Sequence, residues 1–92
     1  MYVVVILEEA HEDLRSIVAY IAIENPRAAE TLGRELLDDA MSLGSVPYRG
    51  SRVENRPGLL KLIHGNYLIY YRIQEQRKAV EIVAFKHGAQ IK

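Results

Sequence analysis

A chain of 92 residues with 49% hydrophobic and 26% charged side chains has an ordinary globular composition, which excludes a disordered or fibrous protein. Its length supports one domain over residues 1–92, and the absence of cysteine excludes disulfides and thiolate metal sites and points to a reducing compartment, the cytoplasm. The formal net charge of zero conceals a division: residues 1–46 hold nine acids and three bases, net −6, and residues 47–92 hold nine bases and three acids, net +6.

A basic second half predicts an acidic or phosphate-bearing partner, the alternative being that the two halves attract each other across the fold. The chain opens with Tyr2-Val3-Val4-Val5-Ile6-Leu7, a β-branched run without polar alternation. It predicts a strand covered on both faces or central in its sheet. The run is far shorter than the roughly 18 apolar residues that cross a bilayer. No basic segment precedes it as in a signal peptide, and no membrane is expected.

Next, Ala10, Leu14, Ile17, Val18 and Ile21 recur at helical spacing as one apolar stripe, with Glu8 and Glu9 at the end where a helix dipole favours acids. Asn25-Pro26 offers a cap and a first-turn proline for a second helix, whose stripe is Ala29, Leu32, Leu36, Ala40 and Leu43. Gly44 stands where a left-handed cap is wanted, and Pro47 prevents continuation. The short connection makes the two helices an antiparallel hairpin.

Residues 44–58 hold Pro47, Gly50 and Pro57-Gly58 together with Arg49, Arg52 and Arg56, a loop with a basic edge. Leu59-Leu60-Lys61-Leu62-Ile63, a His64-Gly65-Asn66 turn, the stretch Tyr67 to Ile73, a second turn near Gln74 to Lys78 and the run from Val80 then read as three antiparallel strands. At period two Tyr67 and Tyr71 share a face with Ile69 and Ile73 toward the core, and Tyr70 lies with Leu68 and Arg72 on the other. The order is β-α-α-β-β-β, an α+β fold with a helical hairpin packed on a twisted, mainly antiparallel sheet.

The common catalytic patterns are missing. Ser16, Ser42, Ser45 and Ser51 occupy no nucleophile elbow, no phosphate-binding glycine loop occurs, and His11, His64 and His87 lack ligand spacing, so neither cofactor nor metal is expected. Metal-free RNA cleavage needs a base, an acid and cations for the phosphorane. Lys61, His64, Arg72, Lys86 and His87 are the available types, but they fall in no catalytic spacing, and surface charge is the plainer reading of Arg72 and His64. Lys86-His87 is the better functional candidate, because a strand terminus presents side chains without burying their charge. The alternative is that His87 and Gly88 simply end the strand. Tyrosines at 67, 70 and 71 could stack bases, although periodicity assigns Tyr67 and Tyr71 to the core.

The order of elements joins several short patterns: Asp13-Leu14-x-x-Ile17-x-x-Tyr20-Ile21, Asn25-Pro26-x-Ala28-Ala29, Pro57-Gly58-Leu59-x-Lys61-Leu62 and Asn66-Tyr67-x-Ile69-x-Tyr71-Arg72-Ile73. With Val80-Glu81-Ile82-Val83 before His87-Gly88-Ala89, the whole resembles the ParE branch of the ParE/RelE superfamily, the toxins of bacterial type II toxin–antitoxin pairs. That resemblance implies a RelE/ParE-like fold, a cognate antitoxin that folds on the toxin, and DNA gyrase as a target inhibited by binding rather than by catalysis. The basic second half and tail would carry the contact, through Lys86, His87, Gln90, Lys92, Arg49, Arg52, Arg56, Lys61 and Arg72.

The enzyme alternative is a ribosome-dependent mRNA interferase of the RelE type. Those nucleases carry an arginine where Leu68 stands and a late tyrosine that this sequence lacks after its last strand. Gln90 stands where the ParE-like pattern has arginine, which leaves open a third reading, a non-toxic binding module. Direct nucleic-acid binding is open but not favoured.

Overall fold

In a computed structural model that describes residues 1–88, the chain runs through β1 (Val3–Ile6), α1 (Glu8–Ala22), α2 (Pro26–Ser42), a 3₁₀ turn (Pro47–Arg49), β2 (Ser51–Arg52), β3 (Leu59–His64), β4 (Tyr67–Gln74) and β5 (Ala79–His87). The five strands form one sheet in the order β1-β5-β4-β3-β2. Neighbours are antiparallel except β1, which runs parallel to β5. The predicted order of elements stands, and β2 adds a two-residue edge within the predicted basic loop.

The position of β1 differs from the expectation. It is an outer strand that pairs only with β5, and its burial alternates: Val3 is 66% and Val5 42% exposed, whereas Val4 and Ile6 pack on the core. A run that is apolar at every position reads as doubly covered, yet only one of its faces meets the helices. The start of its outer edge is closed by the chain after α2, where the Tyr2 N–H donates to the Gly44 carbonyl at 2.8 Å.

Both helices begin as their sequences predict. Glu8 and Glu9 occupy the first turn of α1. The Asn25 side chain accepts the Ala28 N–H at 3.0 Å ahead of Pro26, which satisfies one of the orphan donors at the start of α2. Gly44, which follows the C-cap Leu43, is not the left-handed cap, since its φ is not positive. Close approach explains the glycine instead, because a Cβ there would sit 2.7 Å from the Tyr2 carbonyl oxygen. The glycines that do take a positive φ are Gly58, at 81° ahead of β3, and Gly65, at 58° in the two-residue turn between β3 and β4.

The core lies between the helices and one face of the sheet. Leu36, Ala40 and Leu43 meet Ile69, Tyr71 and Ile82, with Phe85 and Ala10 at the α1 side. Tyr71 is fully buried, yet its hydroxyl donates to the Pro47 carbonyl at 2.8 Å and accepts the Gly50 N–H at 2.9 Å. One side chain thereby ties the 3₁₀ turn to the centre of the sheet. Burial raises the Tyr71 phenol above its ordinary pKa and keeps it neutral. Among the described residues no buried side-chain polar atom lacks a partner, and no helix is long and apolar enough to cross a membrane.

Replacing Tyr71 by Phe keeps the ring and strands both turn partners, so we expect a loss of about 1–3 kcal/mol in urea unfolding with an unchanged slope. Equal midpoints for variant and wild type would show that the hydroxyl does not anchor the turn.

Candidate functional site

The helices cover one face of the sheet, so each strand turns its alternate side chains to an open face. Pairing gathers these into rows: Ser51, Lys61, Tyr70 and Ala84; then Leu59, Arg72, Glu81 and Val5; then Ile63, Leu68 and Lys86. Beside them is a hollow of about 590 Å³. Val53, Glu54 and Arg56 wall it, Leu59, Tyr70, Val83 and Ala84 floor it, and Lys86 stands at its rim.

Of the predicted contact residues, Arg56, Lys61, Arg72 and Lys86 therefore share this face with Tyr70. Arg72 is 3.4 Å from Glu81, which also accepts a hydrogen bond from Gln74 at 3.2 Å. Among the described residues, Arg56, Lys61 and Arg52 form no ion pair. Arg52 lies off the open face, in register with Leu60 and hence with Tyr71. Arg49 turns to α2, donating to the Ser42 hydroxyl at 2.8 Å and lying 3.9 Å from Asp39. His87 is in register with Tyr67 and meets its ring edge-on, centroids 5.0 Å apart, on the core side. Gln90 and Lys92 lie outside the described residues.

The expectation that the two charged halves attract each other is met in part, since Arg49, His64 and Lys86 all reach acids of the first half. His64 is no free surface charge: its ring sits between Asp39 at 2.7 Å and Glu35 at 3.1 Å. Asp13 has a structural role at the site that sequence reasoning missed. Strand β1 pairs with β5 only as far as Ile82, and beyond it the edge of β5 would be open. There the Asp13 carboxylate accepts the Phe85 N–H at 3.2 Å, and its other oxygen lies 3.5 Å from the Lys86 ammonium. Spacing along the helix could not reveal a partner 72 residues away.

A second cluster joins distant turns. The Tyr2 and Tyr48 hydroxyls both donate to Glu75, and Lys78 lies 3.5 Å from that carboxylate and 5.3 Å from the Tyr2 ring centroid. The Tyr48 bond first, then that of Tyr2, holds the Glu75 carboxyl below its ordinary range, and the same bonds raise both phenols. It braces the N-terminus and the 3₁₀ turn against the β4–β5 turn. Among the described residues no three His, Cys, Asp or Glu side chains converge as a metal ion requires.

Across residues 4–92 the sequence matches the model of a family described as the ParE toxin of the type II toxin–antitoxin system parDE. The fold is similar to that of a chain from the chromosomal ParDE system of P. aeruginosa, with TM-score 0.82 and 19% identity over 95% of this chain and 96% of that one. It is also similar to a chain of the RelBE2 toxin–antitoxin complex of Mycobacterium tuberculosis, with TM-score 0.71 and 24% identity over 94% and 90% of the two chains. The isolated E. coli RelE toxin aligns with TM-score 0.63 and 14% identity over 95% and 84%. At such identities these likenesses establish the fold. No curated protein matches the sequence.

The role of Asp13 has a direct check. Asp13→Ala leaves the Phe85 N–H to water and should cost about 1 kcal/mol, with faster hydrogen exchange at Phe85. Unaltered exchange at that amide would mean the edge is closed by something else.

Proposed function

The chain belongs to the family of ParE toxins of type II toxin–antitoxin systems, and from that premise we propose that it inhibits DNA gyrase by binding and is neutralised by a cognate antitoxin. One observation carries the choice of binding over cleavage. The open-face cations Arg56, Lys61 and Arg72 stand apart from the later histidines, since His64 is bonded to α2 and His87 rests against Tyr67 on the core side, while Lys86, which lines a hollow with His87, is engaged by Asp13. A general base, a general acid and phosphate-holding cations must converge within hydrogen-bond reach of one substrate. Here they do not. The face that bears the cations instead mixes Arg56, Tyr70, Leu59 and Val83, a combination of arginine, aromatic and aliphatic surface suited to another protein.

An antitoxin partner is supported by the structural relatives, which come from toxin–antitoxin pairs. The basic half would attract an acidic segment that orders as it binds. Ribosome-dependent mRNA cleavage is the second reading. Its support is Tyr70 beside Lys61 on the open face, an arrangement that can stack a base next to a phosphate.

Purified, antitoxin-free protein added to gyrase at rising ratio should block supercoiling and trap cleaved DNA. Arg56→Glu combined with Lys61→Glu, both away from the core, should weaken that inhibition about tenfold or more while leaving the melting curve in place. Absence of inhibition at every ratio, with message cut on translating ribosomes instead, overturns the gyrase reading in favour of the nuclease.

A further inference from the structure

The end of β5, which bears Lys86 and His87, is held in place by the neighbouring turn between β3 and β4. The Asn66 carbonyl accepts the Gly88 N–H at 2.7 Å, and Tyr67 packs edge-on against His87. His64, two residues before Asn66, fixes that turn to α2. Its Nδ1 lies 2.7 Å from Asp39 Oδ2 and its Nε2 lies 3.1 Å from Glu35 Oε1. Carboxylates only accept hydrogen bonds, so both contacts hold at once only when both ring nitrogens carry protons.

We propose that protonated His64 is a clamp that fixes the β3–β4 turn, and through it the end of β5, to α2, and that loss of its proton loosens that end by removing one of the two contacts. A neutral imidazole presents a lone pair on one nitrogen, and a lone pair facing a carboxylate is repelled. Glu35 is the contact that yields, since its bond is the longer and its side chain is 52% exposed against 26% for Asp39; the Asp39 bond remains, so the turn is loosened rather than freed. The functional importance of this loosening rests on reading the end of β5 as a contact surface.

The charges around the ring favour the cation. From α2 come Glu35 and Asp39, and from the 3₁₀ turn comes Arg49, 3.9 Å from Asp39. Tyr67 is opposite on β4, with His87 of β5 behind it, and Arg27 of α2 lies on the same outer surface as Glu35. The Asp39 hydrogen bond raises the pKa of His64, partial burial opposes it, and Glu35 adds to the rise. A pKa raised by folding means stability that is complete below the unfolded histidine value of about 6.5 and disappears as pH climbs through the higher folded value. Loosening therefore belongs to the alkaline side.

The test is an NMR titration of the His64 ring nitrogens between about pH 6 and 9, with Gly88 amide exchange followed as a protection factor. We expect both nitrogens protonated at the acid end, a midpoint above the free histidine value, and a lower midpoint in Asp39→Asn. Gly88 protection should fall about tenfold through that midpoint in the wild type and show no such step in His64→Gln. A midpoint at or below the free value, or Gly88 protection that ignores it, overturns the clamp. Should His64→Gln fail to fold, the wild-type and Asp39→Asn titrations still decide. These readouts involve no gyrase, so a protein that leaves gyrase untouched yet titrates as described would refute the proposed function and leave the clamp standing.

Discussion

Two helices can cover only one face of the sheet formed by β1 to β5, so each strand must sort its side chains into a buried set and a wet set. Tyr71, Ile69 and Ile82 are sealed under α1 and α2, while their sequence neighbours Tyr70, Arg72 and Glu81 are turned to the open face. Burying an unpaired lysine or arginine is costly, and cations that alternate with apolar residues in β3 and β4 are therefore collected on one surface. A face that mixes cations with aromatic and aliphatic side chains is thus a consequence of one-sided coverage acting on an alternating sequence.

One-sided coverage also leaves the borders of the sheet to be managed by side chains. Helix α1 supplies Asp13 to the stretch of β5 that β1 is too short to reach. Helix α2 supplies Asp39 and Glu35 to the far turn, through His64. On the opposite end, Glu75 receives the two tyrosine hydroxyls. The acidic character of the first half and the basic character of the second are partly spent on these junctions, where a polar contact fixes how the helical layer sits on the strands. Among the described residues Arg56 and Lys61 remain without an ion pair, which leaves them available to the proposed contact.

Features set by neighbours in sequence were legible without coordinates. The Asn25 cap, the Gly65 turn, the apolar stripes and the division of β4 into Tyr67, Ile69, Tyr71 against Leu68, Tyr70, Arg72 follow from local conformation and from the two-residue period of strands. Features set by remote contacts were not. That β1 lies at an edge depends on which strand it meets, and an unbroken apolar run carries no sign of that choice. Arg49 and Arg52 look like members of a basic loop until Ser42, Asp39 and the pairing with Leu60 draw them elsewhere. Lys61 and Arg72 could be assigned to one face by periodicity, but Lys86 could not.

The reason lies in a bulge. Pairing with β4 puts Tyr70 opposite Ala84 and Tyr71 opposite Ile82, so Val83 is the extra residue. With strict alternation, Val80 and Ile82 in the core would be followed by Ala84 and then Lys86 facing inward. The added residue shifts the phase: Phe85 becomes the next buried position, and Lys86 emerges on the open face. An aromatic ring whose burial is worth about 1.5–3 kcal/mol enters the core in place of alanine, and a charge that would have been desolvated stays wet. Asp13 binds the Phe85 N–H just past this bulge, at the edge β1 leaves unpaired. The same irregularity therefore completes the core, calls for the Asp13 contact and sets Lys86 beside Arg56 and Tyr70, which makes the shape of the candidate contact surface inseparable from the packing beneath it.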